Sequence, residues 1–243
     1  MCAFHGVELA DNGHVSSLKL KSNGLIETLP GRMIRGLVGL QVLDLSDNDL
    51  RGGVPDDRTF EMWPDLTHMI LSDNPHLGGG LHPSLPNACK RLQVLQLFNA
   101  NLTGPLPPAL ISLLPELKSM LLYDNKLTGP SPLTLLSGEA KDEAKKMAGG
   151  GVSSAAKAMA VAKGVSKFKG NLARARGKEG LAGDGSEKMA TSPHHRSLTR
   201  IACHGNRLSG GIGVLSTFLK LKLRDLTMGN NQFTGPIEPL FQK

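Results

Sequence analysis

The chain has 243 residues, of which 40% are apolar and 20% charged, a balance ordinary for a soluble globular protein of one large domain or two small ones, and one that excludes little by itself. Its net charge of +7 is concentrated: residues 138–196 hold 12 Lys+Arg against 6 Asp+Glu, leaving 16 and 15 for everything else. The nearly neutral remainder argues against a phosphate-backbone binder, and no run of about 18 apolar residues offers a membrane span.

In chain order, the opening stretch MCAFHGVELADN (1–12) lacks a basic start, an apolar core and a small-residue cleavage site. The chain is therefore expected in the cytoplasm if complete, and outside the cell or at the plasma membrane if it is a piece of a receptor. Asn12-Gly13 ahead of Val15 predicts a hairpin turn. A phrase then begins to recur: LQVLDLSDNDLRGGVP starts at Leu40, and LQVLQLFNANLTGPLP starts at Leu92. In looser form, apolar-x-x-apolar-x-apolar-x-x-Asn-x-apolar, it starts at Val15, Leu40, Leu66, Leu92, Leu117, Leu198 and Leu223. Its asparagine position is occupied by Asn23, Asn48, Asn74, Ala100, Asn125, Asn206 and Asn231, with steps of 25, 26, 26, 25, 81 and 25.

A fixed period in the twenties marks a solenoid. Large apolar side chains contribute about 1.5–3 kcal/mol each when buried, while ordering the backbone costs about 1–2 kcal/mol per residue. One copy alone therefore cannot fold; stacked copies bury each other's faces and share stability. In Val42-Leu43-Asp44-Leu45-Ser46, alternation sends the two leucines inward and Val42, Asp44 and Ser46 to the opposite side of a short parallel strand. The asparagine turns the chain, its amide serving backbone groups. Stretches such as Leu102-Thr-Gly-Pro-Leu-Pro107 then suit a tight return better than a long helix. Ala100 has no amide, so its turn is expected to be under-satisfied by about 1–3 kcal/mol, and Ala100→Asn is expected to stabilise.

The pattern LxxLxLxxNxLxGxxP resembles the plant-type leucine-rich repeat of receptor-like kinases, receptor-like proteins and secreted inhibitors of cell-wall-degrading enzymes, from about Val15 to Gln242 apart from an insert. The resemblance implies an α/β solenoid, a right-handed arc of about seven repeats with a parallel β-sheet on its concave face and a second short strand near LxGxxP. The opening resembles the family's Cys-x-Trp-x-Gly-Val-x-Cys cap, written here Cys2-Ala-Phe4-His-Gly6-Val7-Glu-Leu9. Phe4 stands for Trp and Leu9 for the second Cys, so the cap disulfide implied by the resemblance lacks a partner. At the other end, Pro239-Leu-Phe-Gln-Lys243 stops within a repeat without a polar cap, as expected of a fragment. The expected divisions are a cap remnant (1–14), repeats one to five (15–137), a low-complexity basic insert (138–196) and repeats six and seven (197–243).

The insert is rich in Ala, Gly, Lys and Ser and is expected to be disordered. Within 152–174, Ala158, Val161, Val165, Phe168 and Leu172 share a helical stripe opposite Lys163, Lys167 and Arg174. That segment offers an alternative, a basic amphipathic helix for a membrane surface or a calmodulin-like groove.

Function is expected on the outward sheet positions. One column runs Lys21, Ser46, Ser72, Phe98, Tyr123, His204, Gly229, and its neighbour Ser22, Asp47, Asp73, Asn99, Asp124, Gly205, Asn230. The only Tyr lies beside one of seven Phe, bordered by carboxylates, so Asp73, Gln96, Phe98, Asn99, Tyr123, Asp124 and His204 are the candidate partner-binding residues. The alternative is that Phe98 and Tyr123 only shield each other. No catalytic, cofactor or metal residues are expected. Gly210-Gly-Ile-Gly213 lacks a following Lys-Ser/Thr, His194-His195 has no companion ligands, and Cys2, Cys89 and Cys203 lie far apart as free thiols. Asn101-Leu-Thr103 is an N-glycosylation triplet that matters if the chain is secreted. The expected function is a monomeric, non-catalytic module binding a protein or peptide, with no nucleic acid; the alternative is a fragment of the ligand-binding ectodomain of a signalling receptor.

Overall fold

The computed structural model describes residues 5–29, 34–107, 110–132, 197–211 and 222–235. These belong to the unit formed by Met1–Ala140 and His194–Lys243; the other unit, Lys141–Pro193, lies outside the described residues. So do the expected disorder of the insert, its amphipathic segment 152–174, the insert's attachment from residue 133 onward, and Cys2 and Phe4 of the cap.

Seven strands carry the repeats: β2 (Val15–Lys19), β4 (Val42–Asp44), β6 (His68–Ile70), β7 (Val94–Gln96), β9 (Ser119–Leu121), β11 (Arg200–Ala202) and β13 (Asp225–Thr227). They pair in parallel in that order, and β1 (Val7–Leu9) adds an antiparallel eighth strand beside β2. Ser17, Val42, His68, Val94, Ser119, Arg200 and Asp225 are aligned residue for residue. The register across β9 and β11 is as regular as elsewhere, although about 56 residues beyond the usual period separate the two repeats. Inward positions such as Leu43, Met69, Leu95, Met120 and Ile201 are fully buried and form one continuous core.

The β1–β2 hairpin turns where Asn12-Gly13 places it: the Asn12 side chain accepts from the His14 amide at 3.0 Å, and Gly13 has φ +79°. Gly6, in the cap-like stretch, also has positive φ, and a Cβ there would collide with the Lys19 carbonyl.

The buried asparagines form a ladder of side-chain amides. Asn125 Oδ1 accepts from the amides of Ala100 (3.2 Å) and Leu102 (2.9 Å), while its Nδ2 donates to the carbonyls of Leu97, Leu122 and Tyr123 (2.8–3.1 Å). Asn48, Asn74, Asn206 and Asn231 repeat this arrangement, each reaching into the preceding rung. Stacking would otherwise strand these polar groups in the core, so each carboxamide converts a liability into a link between neighbours.

Beyond the asparagine, short second strands form on the return. β8 (Thr103–Pro105), β10 (Lys126–Pro130), β12 (Arg207–Gly211) and β14 (Gln232–Thr234) make one parallel sheet, and β3 (Ile26–Thr28) pairs with β5 (Asp49–Arg51). The gap between these sheets falls on the third rung, where Asn74-Pro75-His76-Leu77 puts the apolar residue three places after the asparagine instead of two. His76 turns out to meet the Asp49 carboxylate, and the Leu77 amide donates back to the Asn74 carbonyl at 3.0 Å.

This extra residue corrects the expectation for Ala100. In every other rung the next asparagine accepts from the amide two places after its predecessor: Leu25, Leu50, Leu102, Leu127 and Leu208. In the third rung the amide beyond the extra residue, that of Leu77, donates to the Asn74 carbonyl, while the carbonyls of Leu71, Leu97 and Phe98 are met by Asn74, Asn125 and the Asp73 amide. The carbonyls that an amide at 100 would serve thus already have donors, and Ala100→Asn is not expected to stabilise.

Among the described residues, the return side also carries the short helices α1 (Asp57–Glu61) and α2 (Leu85–Ala88). Asp56 caps α1, accepting from the Thr59 amide at 3.0 Å and its hydroxyl at 2.6 Å. Phe60 and Trp63 meet edge to face at 6.3 Å, both fully buried, and the Trp63 indole Nε1 has no hydrogen-bond partner. Cys89 and Cys203 are buried free thiols pushed up to about 12 by burial, far from reactive thiolates.

Candidate functional site

The outward sheet face is a grid with three side chains per rung. Its first column is Ser17, Val42, His68, Val94, Ser119, Arg200 and Asp225; its second is Lys19, Asp44, Ile70, Gln96, Leu121, Ala202 and Thr227. Just past the strand ends comes the third, containing Phe98, Tyr123 and His204.

Those three rings form one continuous stack. Phe98 and Tyr123 lie 4.4 Å apart with 6° between their planes, and Tyr123 and His204 lie 4.6 Å apart at 7°. The spacing follows from the backbone: in-register neighbouring strands sit about 4.8 Å apart, so like-shaped flat side chains in one column stand face to face. All three are half-buried. Mutual shielding is therefore real, and the stack presents ring edges outward while its inner faces cover one another. The same column is closed just ahead of the stack, where Ser46 and Ser72 are 6% and 0% exposed although their positions point outward.

The neighbouring column has a conformational explanation. Ser22, Asp47, Asp73, Asn99, Asp124 and Asn230 all have φ between +49° and +56°, and Gly205 has φ +64°. Left-handed backbone favours Asp, Asn and Gly, so the turn selects these residues before any partner does. They still present polar groups along the aromatic stack. Asn99 donates to the Asp73 carboxylate at 3.0 Å, and Tyr123 is raised above the usual tyrosine range by burial, with the Asp73 and Asp124 charges adding to it. A Cβ on Gly205 would strike the Asp124 carboxylate, which leans across the sixth rung.

Gln96 lies on β7 between Ile70 and Leu121 of the adjacent strands, half-buried like them. The structure thus brings Phe98, Tyr123 and His204 into contact, links Asp73 to Asn99, sets Asp124 near Tyr123, and places Gln96 in the next column. Sequence reasoning placed Val42 on this face but passed over Ile70, Leu121 and Val94, which with it give the middle of the face its apolar character; their alternation with buried core residues was the available signal. It also passed over His68, half-buried, lowered by burial and by Lys118 and Lys19, and paired with the Thr67 hydroxyl at 2.9 Å. Asn101 is half-buried with φ +54°, next to β8, and the Thr103 hydroxyl donates to the Gly79 carbonyl at 3.3 Å. Among the described residues no group of three or more His, Cys, Asp or Glu could hold a metal ion, and no helix is long and apolar enough to cross a membrane.

Parallel rungs, an asparagine ladder and a second sheet on the return define a leucine-rich-repeat protein, and the chain belongs to that family. The Leucine Rich Repeat family matches residues 39–57. Among solved structures, the BIR2 ectodomain from Arabidopsis thaliana is 31% identical over 57% of this chain and 70% of its own, with a TM-score of 0.51. A chain of the BIR3–SERK2 complex from the same plant is 32% identical over 56% of this chain and 71% of its own, with a TM-score of 0.50. PEPR1–AtPEP1 matches across 100% of this chain at 25% identity and a TM-score of 0.62, yet only 28% of that chain is spanned. No curated protein sequence matches the chain.

Proposed function

We propose that this chain is a non-catalytic binding module that holds a protein or peptide on the outward face of its main sheet. The observation that carries the reading is the stack of Phe98, Tyr123 and His204, bordered by Asp73, Asn99 and Asp124 and continuous with the apolar patch around Gln96. A rigid grid of this kind costs little to order on association, because the rungs hold each side chain before the partner arrives. Binding would work by shape and polar complementarity, with no bond made or broken. The BIR3–SERK2 relative is itself part of a two-protein complex.

A second reading, that the chain is part of the extracellular ligand-binding region of a receptor-like protein or kinase, draws support from its 31% identity to the BIR2 ectodomain. Both readings share the same binding face. A random heptapeptide array probed with the full chain tests it. Bound peptides should lose their signal with the double variant Phe98→Ser/Tyr123→Ser, whose melting temperature is measured alongside. Undiminished signal from a folded double variant would remove this face from consideration.

A further inference from the structure

The aromatic column ends at an empty seat. After His204 the next residue in the column is Gly229, which is exposed, and a Cβ built on it meets nothing within 4 Å among the described residues. Gly229 has no left-handed backbone that would demand glycine, in contrast to Gly205. The Thr227 hydroxyl meets His204 Nδ1 at 3.1 Å, so the ring is held in the plane of the stack with one face turned toward the open seventh position. That position is one strand spacing deep, about 4.8 Å, enough for one more flat group to continue the stack.

The charge beside this seat selects which flat group. Asp124, from the fifth rung, reaches across Gly205 of the sixth toward it. Arg200, the cation on the sixth strand, is already paired with Asp225 at 2.9 Å and lies at the far end of the strands. A neutral ring would gain only stacking. A guanidinium gains stacking on the imidazole and a nearby carboxylate together, and it is flat where a lysine ammonium is not.

We infer that the seat above Gly229 receives an arginine side chain of the partner peptide or protein, stacked on His204 and charge-paired with Asp124. This rests on the binding reading above and names the chemistry of one contact within it. The same random heptapeptide array, probed with the full chain, tests it. Bound sequences should be enriched in arginine. Replacing that arginine by lysine or citrulline in a synthetic copy should weaken binding, and Gly229→Leu, which fills the seat, should weaken it more than tenfold while leaving the melting temperature unchanged or higher. Asp124→Asn should weaken it about threefold, as suits an exposed ion pair. Arginine-free binders, or arginine binders indifferent to Gly229→Leu, that are still lost with Phe98→Ser/Tyr123→Ser would overturn the arginine seat and leave the binding face standing. No peptide bound at all would overturn both.

Discussion

Two of the insertions between repeats meet opposite responses. Between the fifth and sixth rungs about 56 residues are added, yet β9 pairs with β11, β10 pairs with β12, and Asn206 donates to the Leu122 carbonyl at 2.9 Å as any neighbour would. In the third rung a single residue is added, and the second sheet breaks while the following asparagine becomes Ala100. Position outweighs length. The long insert lies in the sequence after β10 and before β11, and lengthening a connection raises closure entropy by only about 0.6 kcal/mol per doubling. The single residue enters directly after Asn74, between a side-chain amide and the backbone group that the next rung would have used.

The largest expected effect lies at the regular junctions. Asn125→Ala removes five hydrogen bonds and leaves the buried Leu102 amide without its acceptor, so a loss of about 3 kcal/mol is expected in denaturant unfolding. A loss below about 1 kcal/mol would show that water or backbone shifts replace the ladder. Next comes a coupling experiment at the irregular junction. Ala100→Asn alone should give no gain, but combined with deletion of Pro75, which restores the two-residue spacing, it should be about 1–2 kcal/mol more favourable than the two single changes predict. Strict additivity would separate Ala100 from the extra residue.

A smaller effect concerns pH. Tyr123 is the only tyrosine, so tyrosinate absorbance in the folded chain reports it alone. With its folded value raised by burial, Asp73 and Asp124, it contributes stability that is complete below about pH 10 and is lost as pH rises through the folded value. The titration midpoint should lie above 10, and Asp73→Asn should lower it. A midpoint unmoved by that change would leave burial and Asp124 as the causes.

Much of this architecture can be read directly from the residues. Leucine spacing and the recurring asparagine announce the rungs, because burial and hydrogen bonding impose the same demand in each copy. The stacked aromatic column follows from reading Phe98, Tyr123 and His204 at one position of an in-register sheet. The meaning of Asp47, Asp73, Asn99, Asp124 and Asn230 is less accessible: a solvated carboxylate and a residue chosen for positive φ look alike in a string of letters, and only the backbone separates them. The link between His76 and Ala100 is hidden for another reason. It runs through hydrogen bonds between rungs, so the residue that deviates and the residue that answers it stand 24 positions apart.

The single tryptophan adds an optical handle to this contrast. Trp63 sits in the return between the second and third rungs, sealed from solvent, its indole nitrogen bonded to nothing. Its fluorescence should accordingly be blue in the native state and shift red when water reaches that segment. A stack that melts piecewise, starting near the disturbed third rung, would shift its emission before circular dichroism records loss of the remaining strands, whereas coincident curves would mean that one extra residue leaves the cooperativity of the whole column intact.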